Sequence, residues 1–338
     1  MSTAKVTVGI PTFNRAQWLR ETVESVLAQT FTNFRVIVRD NASDDATPDV
    51  MRSFCDGRIQ YMRSEQNVGS IGNINRLAAL ADTEYVVLLP DDDILYPGYL
   101  GAAVDLLDRF ATAGLVHSAF DFIDERSRVI RRVHPVASGS NASIMRRDRA
   151  LEWMMFSRWA LCFPTVMYRT KAIVEAGGIR EEQEPFGDHE LWMRIALNWD
   201  FGYIAKSLAG FRAHPQTRTR AIAAENGATF DGRSRFFLYS QIKFERRMDF
   251  LEEAQLASPT TKRFTALATL QLLAETAASG LPWNEAAGRL AKLVRTYPRI
   301  LLRPALWRLV VAQLGGRRMR SALSRALTRH RRALGRPT

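Results

Sequence analysis

Cysteine is scarce: Cys55 and Cys162 are the only two in 338 residues, far apart and in no paired motif. That argues against a disulfide scaffold and a thiolate zinc site, and it fits a reducing compartment. No run of about 18 apolar residues occurs, so no membrane-spanning helix is expected. The opening Met1–Lys5 lacks the apolar core of a signal peptide, which makes a cytoplasmic chain the expectation. Internal repeats and low-complexity linkers are missing too. Core-forming residues are not: 46% of the chain is hydrophobic and 24% charged, which excludes a disordered or fibrous protein. Acids are lacking in one region. From Arg289 to the end stand 14 of the 47 Lys and Arg, with no Asp or Glu among them. The first 288 residues hold 33 basic against 35 acidic side chains, so the formal charge of +12 belongs to the tail.

Two periodicities alternate through the first 120 residues. Lys5–Ile10, Arg35–Arg39, Ile59–Met62, Tyr85–Leu89 and Leu115–Ser118 read as short buried strands. Gln17–Ala28, Thr47–Phe54, Ile71–Ala81 and Tyr99–Phe110 carry apolar residues at helical spacing. The alternation predicts βαβ units and a mostly parallel sheet in an α/β fold. Phe120–Val133 reads as a hairpin around Glu125-Arg126-Ser127, and residues 140–215 mix helices with short strands, one at Gly202–Ala205 or Gly210–Ala213. From about Asp231 the pattern is helical to the end. The expected division is an α/β domain over 1–225 and an all-helical region over 226–338.

Open α/β sheets bind ligands beyond the carboxyl ends of their strands. Here those positions hold Pro11-Thr12-Phe13-Asn14-Arg15, Asp40-Asn41-Ala42-Ser43-Asp44-Asp45, Asn67-Val68-Gly69-Ser70 and Asp91-Asp92-Asp93. Any one of them could be plain turn chemistry. Four on one sheet edge point to a ligand. Adjacent carboxylates repel, and holding three at a strand end costs stability unless a cation neutralises them. Carboxylate oxygens suit Mg²⁺ or Mn²⁺, whose coordination phosphate oxygens can complete, so a metal holding a diphosphate follows. A second cluster, Phe186-Gly187-Asp188-His189-Glu190-Leu191-Trp192, opens an amphipathic helix. Asp188 there is either a helix cap or a functional acid. Arg194 is either an inward ion-pair partner or a substrate ligand, and Trp192 reads as core. Phe211-Arg212-Ala213-His214 sets an arginine and a histidine after a strand.

In their order and spacing, Val8–Arg15, Asp40–Thr47, Asn67–Gly69 and Leu89–Asp93 resemble the family 2 glycosyltransferases, inverting enzymes of GT-A fold. Gly177-Gly178-Ile179, Gly187–Arg194 and Phe211–His214 extend the resemblance over about residues 5–220. It implies that Pro11, Thr12 and Phe13 line the nucleotide pocket with Asn14, Arg15, Asn67 and Gly69, and that Asp40 meets the base. It also implies that Asp91 faces the ribose, that Asp92 binds the metal bridging the diphosphate, and that Asp93 and His214 are further metal candidates. Pro90 stands where the commoner motif has its first Asp, and Gly187 replaces the glutamate before the catalytic aspartate, which would be Asp188. The chemistry agrees: a divalent ion stabilises the departing diphosphate, and a carboxylate on the opposite face takes the proton of the attacking hydroxyl. The implied donor is a nucleotide-diphosphate sugar, and the acceptor a hydroxyl of a glycan or lipid-linked acceptor. A nucleotidyltransferase of similar fold would want a glycine-rich loop after the first strand, and Pro11–Arg15 has no glycine. A non-catalytic carbohydrate- or RNA-binding protein would not need Asp92 and Asp188.

On a helical wheel, Arg317–Leu334 sets Met319, Leu323, Leu327 and Leu334 on one side and Arg318, Arg325, Arg329 and Arg332 on the other. Such a helix suits an anionic membrane surface, giving a peripheral protein on the inner face of the plasma membrane. Packing on the body and binding of RNA are the alternatives, and no nucleic acid is expected.

Overall fold

The computed structural model describes residues 4–135, 142–156, 161–184 and 186–214. The chain divides into two units, Met1–Ala221 and Ile222–Thr338, and every described residue lies in the first. The helical reading beyond Asp231 and the basic tail fall outside the described residues.

The first half is four strands joined by three helices. β1 (Val6–Thr12), β2 (Phe34–Asp40), β3 (Ile59–Arg63) and β4 (Tyr85–Leu88) alternate with α1 (Ala16–Leu27), α2 (Thr47–Arg52) and α3 (Ser70–Ala79). β1 and β4 are buried along almost their whole length, as strands covered on both faces must be, which explains their near-continuous apolar runs. α1 buries Trp18, Leu19, Thr22, Val23 and Val26, a stripe at the helical period. α3 crosses β1 so closely that a Cβ on Gly9 would lie 2.5 Å from Leu77 Cδ2.

After β5 (Ile94–Leu95) and α4 (Tyr99–Arg109) come β6 (Ala113–Ile123), β7 (Val129–Val133), β8 (Ala142–Met145) and α5 (Arg147–Phe156). β9 (Val166–Arg169), α6 (Thr170–Glu175), α7 (Gly187–Asn198) and β10 (Asp200–Arg212) complete the unit. The ten strands form one sheet in the order β3-β2-β1-β4-β9-β6-β10-β5, with β7 added to β6 and β8 to β10. β3-β2-β1-β4 is parallel, as is β6-β10, while β9 runs antiparallel between β4 and β6. This mixed, mostly parallel arrangement matches the expected α/β class. In register, Thr12 lies beside Asp40 and Gly9 beside Leu88, so the loops after β1, β2 and β4 leave from one edge.

Two sequence expectations are corrected. The alternatives at Gly202–Ala205 and Gly210–Ala213 are one strand, β10, whose ladder with β6 shifts register between Ile204 and Ser207 and again before Gly210. These irregularities break the strict alternation on which a strand reading depends. Asp188 is not the helix cap: Phe186 holds that position, and Asp188 lies inside the first turn of α7.

Candidate active site

Two loops at the parallel edge are zipped together. Asn14, in the left-handed region at φ 53°, donates its N–H to Ser43 Oγ (2.9 Å), and its Oδ1 accepts the Asp44 N–H (2.9 Å). An Asn adopts that conformation at little cost. Asp45 accepts the Ala16 N–H (3.0 Å), supplying α1 with a cap from the neighbouring loop that Arg15, at the cap position, does not provide. The third loop joins through Asn41, whose Nδ2 donates to Asn67 Oδ1 (2.7 Å) and to the Gly69 carbonyl (3.1 Å). Asn67 and Gly69 thus act on the shape of the edge. Pro11 and Thr12 lie beneath it, and Phe13 projects from it with 41% of its surface exposed.

Asp40 sits under this layer, fully buried. Its Oδ1 accepts the Ser43 N–H (2.8 Å) and its Oδ2 accepts the Tyr61 hydroxyl (2.6 Å), with Arg63 Nε 3.5 Å away. Both oxygens are engaged within the protein. Burial and the Asp40 charge push the Tyr61 hydroxyl far up its titration range, so it stays a donor.

The acidic triplet diverges. Asp91 is half-buried, accepts the Phe13 N–H (3.3 Å), and is pushed up to about 7 by burial and then by the Asp92 charge. Asp92 turns the other way, its Oδ2 lying 2.9 Å from His214 Nε2 and 3.6 Å from Arg15 Nη1. His214 is buried against Trp18, with ring centroids 4.1 Å apart. Asp93 points inward: it is 1% exposed, accepts the Arg212 N–H at Oδ1 (2.7 Å), and leaves Oδ2 without a partner. Burial, reinforced by Asp92, pushes its carboxyl well above the usual range. The structure therefore brings together Phe13, Arg15, Asp91, Asp92 and His214, and sets Asp93 behind them.

Asp188 reaches the same region from α7. Burial pushes the Cys162 thiol up, with the charges of Asp93 and Asp188 as further causes, so the thiol lies within electrostatic range of both acids. One Asp188 oxygen accepts the His189 N–H (2.6 Å). The start of α7 is held by packing: a Cβ on Gly187 would lie 2.5 Å from Ile179 Cγ2 and 3.3 Å from the Arg180 carbonyl. That closeness explains why no glutamate stands at 187. Ile179 is fixed in turn by Asn75, which accepts its N–H (2.9 Å) and donates to its carbonyl (2.7 Å). Trp192 is core, its indole N–H donating to Tyr168 (2.8 Å), and Arg194 pairs bidentately with buried Glu190 (2.6 and 2.7 Å).

The sequence reading left two site-building residues without a role. Thr22 Oγ1 lies 2.9 Å from the Asp91 carbonyl and 2.8 Å from that of Asp93, and Arg212 is buried against the loop from the other side. Thr22 carries no motif, although a hydroxyl on the apolar stripe of α1 was a visible anomaly. No group of three or more His, Cys, Asp or Glu forms a ready cation cage among the described residues. A depression of about 400 Å³ lined by Lys5, Asn33, Arg35, Asp82, Thr83 and Glu84 lies at the opposite end of the strands. Its charges pair locally, Lys5 with Asp108 (2.9 Å) and Arg35 with Asp82 (2.5 Å), and it has no part in the cleft.

A family model described as Glycosyl transferase family 2 matches residues 7–175, half of the chain. A Campylobacter jejuni GalNAc(5)-diNAcBac-PP-undecaprenol beta-1,3-glucosyltransferase is 34% identical over 227 residues, covering 66% of this chain and 69% of that protein. An uncharacterized glycosyltransferase of Rickettsia felis is 26% identical over 228 residues; the match spans 65% of this chain but only 36% of that longer relative. Among solved structures, S. aureus TarS with UDP superposes at TM-score 0.55 and 20% identity, over 88% of this chain and 90% of that one. The same protein with UDP-GlcNAc gives 0.54 at 16% identity, over the same shares. These neighbours share the GT-A fold.

Proposed function

The chain belongs to glycosyl transferase family 2, and from that premise we propose that it is an inverting enzyme moving a hexose from a nucleotide-diphosphate donor to a hydroxyl of a lipid-linked glycan. The observation that carries the reading is the Asp92–His214–Arg15 cluster at the mouth of the parallel edge, beside an exposed Phe13 and the half-buried Asp91. Phe13 offers a stacking face for a base. Asp91 faces the ribose. Asp92 and His214 would hold Mg²⁺ or Mn²⁺ between them, a donor set of hard oxygen and imidazole that the nucleotide's own phosphates complete. Asp93, 1% exposed and held at Oδ1 by the Arg212 N–H, is turned away from that pair and is not among the ligands. The bound cation supplies Lewis-acid stabilisation of the departing diphosphate. Arg15 adds a fixed positive charge beside the same phosphates.

Asp188, across the cleft near Cys162, serves as the base that takes the acceptor hydroxyl's proton. A lipid-linked acceptor is favoured by the undecaprenol-linked substrate in the name of the 34%-identical relative. The basic tail of this chain fits the same setting, as an anchor on an anionic cytoplasmic leaflet.

The test is a screen of UDP-, GDP- and dTDP-sugars with Mn²⁺, reading thermal shift and donor hydrolysis. Asp92→Ala is expected to abolish metal-dependent donor binding. Asp188→Ala should keep binding and lose turnover by about 10³-fold. Absence of any nucleotide effect with Mn²⁺ would overturn this reading of the donor site.

A further inference from the structure

Three distant segments meet on one side chain behind the acidic loop. Arg212 has no exposed side-chain surface, and each arm of its guanidinium has its own target. Nε donates to the Asp92 carbonyl (2.6 Å), and Nη2 pairs with Glu21 Oε2 (2.7 Å). Nη1 donates to the carbonyls of Asp124 (3.0 Å) and Glu125 (3.3 Å) and to Ser127 Oγ (3.0 Å). Ser127 in turn donates to the other Glu21 oxygen. The Arg212 backbone N–H holds Asp93 Oδ1 at 2.7 Å. One residue therefore fixes Asp92 by its main chain and Asp93 by its carboxylate, on the loop that faces the diphosphate.

A buried arginine is costly unless its charge and all its donors are met, and a planar five-donor fork meets these partners only in this arrangement. Lysine would keep the charge but lose the directions. Helix α1 contributes twice to the same end. Glu21 locks the guanidinium, and the next residue, Thr22, bonds the carbonyls of Asp91 and Asp93. The acidic loop is thus held from α1, from the β6–β7 turn and from the end of β10. None of these contacts leaves the side chain of Asp92 occupied by Arg212, so its oxygens stay available to His214 and to a ligand.

We infer that Arg212, locked by Glu21, is a positioning residue that pre-sets the acidic loop for the nucleotide diphosphate and its cation. The inference rests on the reading above, in which Asp92 is the metal-side acid. Two variants test it in the full chain: Glu21→Gln, whose site is partly exposed and gentle on folding, and Arg212→Lys. The readouts are hydrogen exchange of the loop amides at 91–95 and Mn²⁺ binding followed by electron paramagnetic resonance with UDP or GDP present. Faster exchange confined to that loop, with Mn²⁺ half-saturation raised about tenfold, is expected of both, as for outer-shell partners of a metal site. Loop exchange unchanged, or raised equally across the whole sheet with Mn²⁺ half-saturation within about twofold, would reduce Arg212 to a structural ion pair and overturn the inference. If Arg212→Lys does not fold, Glu21→Gln decides alone. If the unaltered chain binds no Mn²⁺, the metal-side reading of Asp92 fails, and loop exchange still decides the clamp.

Discussion

Burial and the neighbouring Asp92 charge push the Asp91 carboxyl up to about 7, far above the ordinary 3.8, so between these two values the folded chain holds a proton that the unfolded chain releases. Because the native state binds more protons there, stability falls as pH rises through that window and levels off above it. Asp91→Asn removes the charge and keeps an oxygen for the Phe13 N–H. Thermal melts of the ligand-free protein should show the variant at least about 3 °C more stable at pH 8 and nearly equal at pH 4. A flat difference across that range would assign the strain elsewhere. The acidic run Asp91-Asp92-Asp93 stood out because adjacent carboxylates at a strand end repel, whereas Asp188 and His214 were marked only by the resemblance to the family. Arg212 and Thr22 stayed hidden, since their roles depend on contacts 120 and 69 to 71 residues away in the chain. No local pattern encodes such separations. The opposite behaviour of Asp91 and Asp93, one at the cleft and one inward, is likewise a matter of backbone direction rather than residue type.

Helix α7 brings the proposed base to the cleft, and its placement depends on a missing side chain. Gly187 lies so close to Ile179 and the Arg180 carbonyl that Gly187→Ala must push the first turn outward. The expected cost is about 1–3 kcal/mol of stability, together with a fall in turnover exceeding the loss of donor affinity. Urea unfolding and a separate measurement of kcat and donor KM check both parts. The elements of the first half were legible because β1, β2 and β4 are short apolar runs and α1, α3 and α4 carry one apolar face each. β10 was not, because Lys206 and Ser207 interrupt its pattern where the register slips. The helix of the proposed base was recognised from its apolar face, and of the two readings left open for Asp188 the cap is excluded, since Phe186 holds that position and Gly187 packs against Ile179.

At the scale of the whole chain, charge is divided as sharply as fold. A nearly neutral body of 288 residues is followed by a tail holding 14 basic side chains and no acids. If that tail anchors the enzyme to an anionic leaflet, removing the residues after Gly315 moves the protein from the membrane fraction to the supernatant while donor hydrolysis persists. Unchanged fractionation would assign the tail to another partner. Among the described residues no helix is long and apolar enough to cross a bilayer. The Asp92–His214 contact joins residues 122 apart in the sequence, and Arg212 and His214 close the last strand of the described unit. On a ribosome, a nascent chain that has already made the loops after β1, β2 and β4 therefore still lacks the His214 imidazole and the Arg212 guanidinium. If Asp92 and His214 hold the cation as proposed, competence for the diphosphate therefore waits for the final strand to dock.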